Sequence, residues 1–158
     1  MKFWTTPLLL PTVGALVSFT PRPNNSILPG LPSLNDLFKV VEHPSERGAT
    51  VLEAPVNQEG VKLYIAIDTD SYGHIERPGN GGIRLLNYLS SKHAIDDAVR
   101  LAKGMTRKHD MFRTGFSGAK VVVDSMHKDL SKIERRGLME DAANALHALE
   151  GGMYTGCE

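Results

Sequence analysis

Apolar positions along this 158-residue chain follow two periods, one helical and one strand-like, that take turns in sequence. Between Ala94 and Lys108 they recur at four- and three-residue steps: Ala94, Ala98, Leu101 and Met105, with Ile95 and Ala102 widening the stripe. This spacing predicts an amphipathic helix whose solvated side carries Asp96, Asp97, Arg100, Lys103 and Arg107. Lys108 returns by phase to the apolar side, beside Leu101 and Met105. An ammonium on a buried face must find a partner or lose its proton, which makes Lys108 a candidate for chemistry. The competing reading is a helix that frays near Gly104, with Lys108 reaching water along its own stem.

Beyond the small-residue loop RTGFSG, Val121, Val122 and Val123 predict a strand covered on both faces. Lys120 stands at its mouth, next to Gly118 and Ala119, which let another molecule approach the backbone. Two ammonium groups meeting in one cleft lower each other's proton affinity, an arrangement suited to a carboxylate anchor beside an activated amine. Earlier in the chain, Ala49 to Ala54 and Lys62 to Asp68 predict two strands joined by a turn at Asn57 to Gly60. Leu34, Leu37, Phe38 and Val41, between Ser33 and Pro44, predict a helix ahead of them. Gly81-Gly82-Ile83-Arg84 opens a further strand. No helix follows at once, so G-N-G-G is not a dinucleotide fingerprint. Arg84 reads as an ion-pair partner or as part of a pocket rim. A second helix begins at Ser131, where Glu134 completes a capping box. Its buried face is Leu138, Ala142, Ala145 and Leu149 with Met139 and Leu146, and Gly151-Gly152 ends it. Together these elements predict an α/β fold, a mixed sheet flanked by helices in a single domain.

Composition narrows the function. Eighteen basic and eighteen acidic side chains cancel, and basic residues of the central helix are interleaved with acids, which argues against a nucleic-acid partner. The single cysteine, Cys157, cannot form an internal disulfide, and no metal-ligand spacing is present. Residues 1–32 contain six prolines and no acidic residue, and read as a disordered leader outside the folded domain of residues 33–158. The apolar run Leu8 to Phe19 is too short to span a bilayer, so no membrane partner is expected. With a single cysteine a reducing compartment is the easier reading, so a cytoplasmic location is expected, with organelle import through the leader as the alternative.

Three motifs then stand in order: G-G-I-R at Gly81 to Arg84, A-x-x-D-A-x-R-L-A-x-G-M-T-x-K at Ala94 to Lys108, and G-A-K-V-V at Gly118 to Val122. They resemble the amino-terminal substrate and dimerisation domain of the glutamate/leucine/phenylalanine/valine dehydrogenases, the leucine/phenylalanine branch above all. The two lysines lie twelve positions apart, the interval that family uses. The resemblance implies oxidative deamination of an L-amino acid, with Lys120 catalytic, Lys108 on the substrate carboxylate, and Gly82 and Asn80 lining the pocket. Glutamate-specific members carry a lysine where Asn80 stands, so the implied substrate is non-acidic. His109-Asp110 and Ser117 depart from the family pattern, and the terminal residues resemble its Y-x-T-A-E-D segment as far as the glutamate. The resemblance further implies NAD or NADP for the whole enzyme, bound by a separate or downstream domain and not by this chain alone. A small-molecule amino acid and a homo-oligomer are the implied partners. The alternative is a free-standing, non-catalytic oligomerisation or amino-acid-binding domain.

Overall fold

The computed structural model describes residues 37–42, 47–68, 77–126, 128–149 and 152–155. The expected leader, Ser33, Leu34 and Cys157 lie outside the described residues. β1 (Lys39–Glu42), β2 (Ala49–Ala54) and β3 (Lys62–Asp68) form an antiparallel meander. β4 (Gly79–Gly81) and β5 (Ile83–Leu86) follow, then α1 (Ser91–Phe112), β6 (Ser117–Asp124), α2 (Lys132–Ala148) and β7 (Met153–Thr155).

β6 is the pivot of the sheet. It pairs antiparallel with β3 on one side and parallel with β4 and β5 on the other, and β4 pairs parallel with β7. Parallel neighbours need a crossover, which α1 supplies between β5 and β6. Gly79 stands opposite Ser117 and Ile83 opposite Val121, the same register before and after Gly82, so β4 and β5 run as one interrupted strand.

Alternation along β6 divides the molecule. Ala119, Val121 and Val123 face a core with Leu63, Ile65 and the α2 residues Leu138 and Ala142. Val122 faces the other core, with Tyr64, Ala66 and the α1 residues Ala94, Ala98 and Ala102. The expected mixed sheet between helices is the observed fold, and no Rossmann unit occurs among the described residues.

Three local expectations are corrected. The helix anticipated up to Val41 gives way at Lys39 to strand β1, because Val40 and the residues beside it pair with β2 instead of following helical phase. Met139, expected on the buried face of α2, is 38% exposed; that face carries Asp141, whose two carboxylate oxygens accept from the backbone and side chain of Asn57. Asp97, assigned to solvent, is also largely enclosed. It accepts from the Tyr88 hydroxyl (2.8 Å) and Arg84 (2.9 Å), and also from Arg100.

Burial works against the Asp97 charge, but the hydrogen bonds from Tyr88, Arg100 and Arg84 outweigh it and hold the carboxyl below its usual range. A carboxylate with a depressed folded pKa stabilises above its unfolded pKa, about 4, and that contribution disappears as pH falls through the folded value. Asp97→Asn is therefore expected to lower stability by about 1–3 kcal/mol at neutral pH, with the gap to wild type closing below about pH 4. Urea denaturation across that range measures it; a gap constant with pH would deny the charge its role.

Candidate functional site

The candidate site lies on the α1 side of the sheet, at the point where β6 meets β4 and β5. Lys120 is opposite Ala66 on β3, and the register of β4 and β5 sets Gly82 beside it on the other flank. Two neighbours without bulk, Ala66 and Gly82, thus flank the half-buried lysine. A Cβ built on Gly82 would stand 3.2 Å from Lys120 Nζ, so the ammonium lies over bare Gly82 backbone. Gly81 serves a different purpose. A Cβ there would fall 1.7 Å from the Ala119 carbonyl oxygen, so this glycine is what allows the two strands to join.

Asn80 stands opposite Gly118, and its carbonyl oxygen lies 3.3 Å from His109 Nε2 at the end of α1. The His109 Nδ1 is 2.8 Å from Thr114 Oγ1, and its ring meets Phe116 with centroids 5.8 Å apart. His109 thus ties the last turn of α1 to the glycine strand, while Asp110 lies 3.4 Å from Arg77. Ser117 is buried and donates to the Arg77 carbonyl at 3.2 Å. Arg84 takes the ion-pair role of its two readings, with Asp97.

Lys108, expected by phase within the apolar stripe, is exposed on α1. The face that packs is Ala94, Ala98, Ala102 and Thr106 with Val99, while Leu101 and Met105 are half-buried at its flank. Gly118 explains the rotation. A Cβ there would lie 1.9 Å from the Ala102 carbonyl and 2.3 Å from Thr106 N, an approach so close that only short side chains fit between helix and sheet. Lys103, also assigned to solvent, reaches inward to Asp68 at 3.5 Å.

Sequence reasoning missed the buried pair that stitches this corner, Asp68 and Thr106. The Thr106 hydroxyl donates to Asp68 Oδ2 (2.5 Å) and accepts from Gly118 N–H (2.9 Å). A polar residue four positions after Ala102, on the small-residue phase, was the available signal. On the opposite face a hollow of about 230 Å³ opens between Phe38, Val56 and Ala145. Its carboxylate, Asp141, is already engaged by Asn57, so that side reads as structural.

A mixed sheet between two helices, with a lysine of its central strand set over glycine backbone on the α1 face, defines the class of this α/β domain. No family model matches the chain. Among curated proteins it is similar to phenylalanine dehydrogenase from Thermoactinomyces intermedius, 29% identical over 125 residues that cover 79% of this chain and 32% of the relative. Leucine dehydrogenase from Bacillus cereus is 40% identical over 82 residues, covering 51% of this chain and 21% of that one. The chain therefore spans a third or less of the length of these relatives. Among solved structures, L-tryptophan dehydrogenase from Nostoc punctiforme aligns with a TM-score of 0.55 and 26% identity over 73% of this chain and 32% of that one. A hetero-hexameric glutamate dehydrogenase from Thermus thermophilus, at 20% identity over 78% of this chain and 31% of that one, shares the fold with a TM-score of 0.52. By sequence and fold, the chain is related to the amino-terminal domain of the amino-acid dehydrogenases.

Proposed function

We propose that this chain forms the amino-acid-binding part of an NAD(P)-dependent amino-acid dehydrogenase acting on a non-acidic L-amino acid. The observation that carries the reading is the Lys120 ammonium set over Gly82, where no side chain intervenes between amine and backbone. In this reading Lys120 is the catalytic amine: once the amino acid has been oxidised to its imine, it would polarise the water that adds at that carbon and stabilise the oxygen charge that develops as ammonia leaves. Lys108, exposed on α1, pairs with the substrate carboxylate in a charge-assisted contact that fixes the α carbon. Gly82 flanks the substrate and Asn80 faces its side chain, at the position where a lysine would favour an acidic one.

The described residues do not fit a dinucleotide. The amino ends of α1 and α2 are capped by Ser90 and Ser131, and neither follows a glycine-rich turn. In this reading the nicotinamide cofactor is held by another part of the assembled enzyme. This observation also supports the second reading, a non-catalytic domain that binds amino acids or self-associates. A homo-oligomer in the cytoplasm, with residues 1–32 as a leader ahead of the domain of residues 33–158, completes the proposal.

Isothermal titration calorimetry of the chain with L-leucine, L-phenylalanine and L-glutamate tests it. Binding of a neutral amino acid is expected, weakened by about tenfold or more in Lys120→Met and in Lys108→Met, with L-glutamate the poorest ligand. Absence of binding by all three, or indifference to both substitutions, would remove the proposal. NADH formation from a neutral amino acid and NAD by an assembled enzyme that contains this chain is the result that separates the two readings.

A further inference from the structure

A hydroxyl at one buried junction joins the two segments that carry the proposed chemistry. Thr106 is 5% exposed, and so is Asp68, to which it donates. Asp68 as a carboxylate only accepts and the Gly118 N–H only donates, so a single atom linking them must do both. Only a hydroxyl qualifies, and Gly118 leaves room for it: a Cβ there would stand 2.7 Å from Thr106 Oγ1.

Both lysines lie two residues beyond partners in this bridge, Lys120 after Gly118 on β6 and Lys108, exposed, after the bridging Thr106 on α1. Strand alternation keeps Gly118 and Lys120 on the same face, the one that α1 covers. We infer that Thr106 is a positioning residue: its hydroxyl bridge between Asp68 and Gly118 fixes how the end of α1 stands over β6, and thereby sets the separation of Lys108 from Lys120. Small residues alone would leave that helix free to slide, because Ala98 and Ala102 offer contact without direction. The bridge supplies the direction. Misplacing a binding group by about 1 Å is enough to weaken its work severely.

The inference rests on the two-lysine reading above and is tested beside it with Thr106→Val, which keeps the shape and removes the hydroxyl, and Thr106→Ser, which keeps the hydroxyl. L-Leucine affinity is expected to fall about tenfold in the valine variant and to stay within about threefold of wild type in the serine variant. Unchanged affinity in Thr106→Val, or an equal loss in Thr106→Ser, overturns the inference. If wild type binds no amino acid, the functional reading fails by itself. The bridge is then judged by amide hydrogen exchange at Gly118, expected slow in wild type and Thr106→Ser and fast in Thr106→Val. Fast exchange at Gly118 in folded wild type overturns the inference without needing any variant, and so covers the case in which Thr106→Val does not fold.

Discussion

Gly118→Ala is expected to yield little or no folded protein, while Gly104→Ala melts above wild type. The contrast comes from two glycines belonging to one helix–strand unit. At Gly118 the added Cβ meets the Ala102 carbonyl at 1.9 Å and the Thr106 amide nitrogen at 2.3 Å, both backbone atoms of α1. Backbone in a long helix cannot swing aside as a side-chain end can, so α1 must lift from β6. That separation opens the core around Ala98, Ala102 and Val122 and pulls the Gly118 amide away from Thr106. The combined loss is about 4 kcal/mol or more, a large part of the total stability of an ordinary domain. Gly104 has nothing within 4 Å of its Cβ position and lies inside α1, so alanine there only restricts the unfolded chain and favours the helix, by about 1 kcal/mol. Circular dichroism melts of the two variants check both directions. A folded Gly118→Ala protein of native stability would mean that α1 does not approach β6 so closely.

A second pair separates folding from function within two neighbouring residues. Gly81→Ala is expected to unfold or cost about 3 kcal/mol or more, because its Cβ would stand 1.7 Å from the carbonyl oxygen of Ala119, in the middle of the sheet. Gly82→Ala is expected to fold with stability within about 1 kcal/mol of wild type. Its Cβ meets only the Lys120 ammonium, the far end of a flexible chain, at 3.2 Å. The amine must move by a few tenths of an ångström and a methyl takes the space beside it, so amino-acid affinity is expected to fall by about tenfold. Urea titration and calorimetry on both variants read the two effects separately. Equal destabilisation by both would mean that the glycines share one structural task.

Much of this was legible from period and punctuation. The capping box at Ser131, the helix around Ala98 and the strand of three valines are local statements, and local chemistry decided them. β1 was misread because four residues hold too little pattern to separate a short strand from the helical spacing of Leu37, Phe38 and Val41. The phase of α1 was misjudged for a deeper reason. Hydrophobic phase gives weight to large side chains, and so favoured Leu101 and Met105. The packed face was chosen instead by a glycine on a different element, which admits alanine and threonine and turns Lys108 outward. Lys120 over Gly82 depends on strand pairing between distant segments, which the glycines hinted at and only the register could align.

The division of the sheet into two faces has a consequence for how such a chain can drift over generations. Losing or gaining one codon just before Val121 would exchange the two sets of side chains downstream, turning Val121 and Val123 toward α1 and Val122 toward α2. Changes in pairs would preserve facing but still shift Lys120 along Gly82. A change of length in this segment is therefore costlier than a substitution toward α2 that keeps volume.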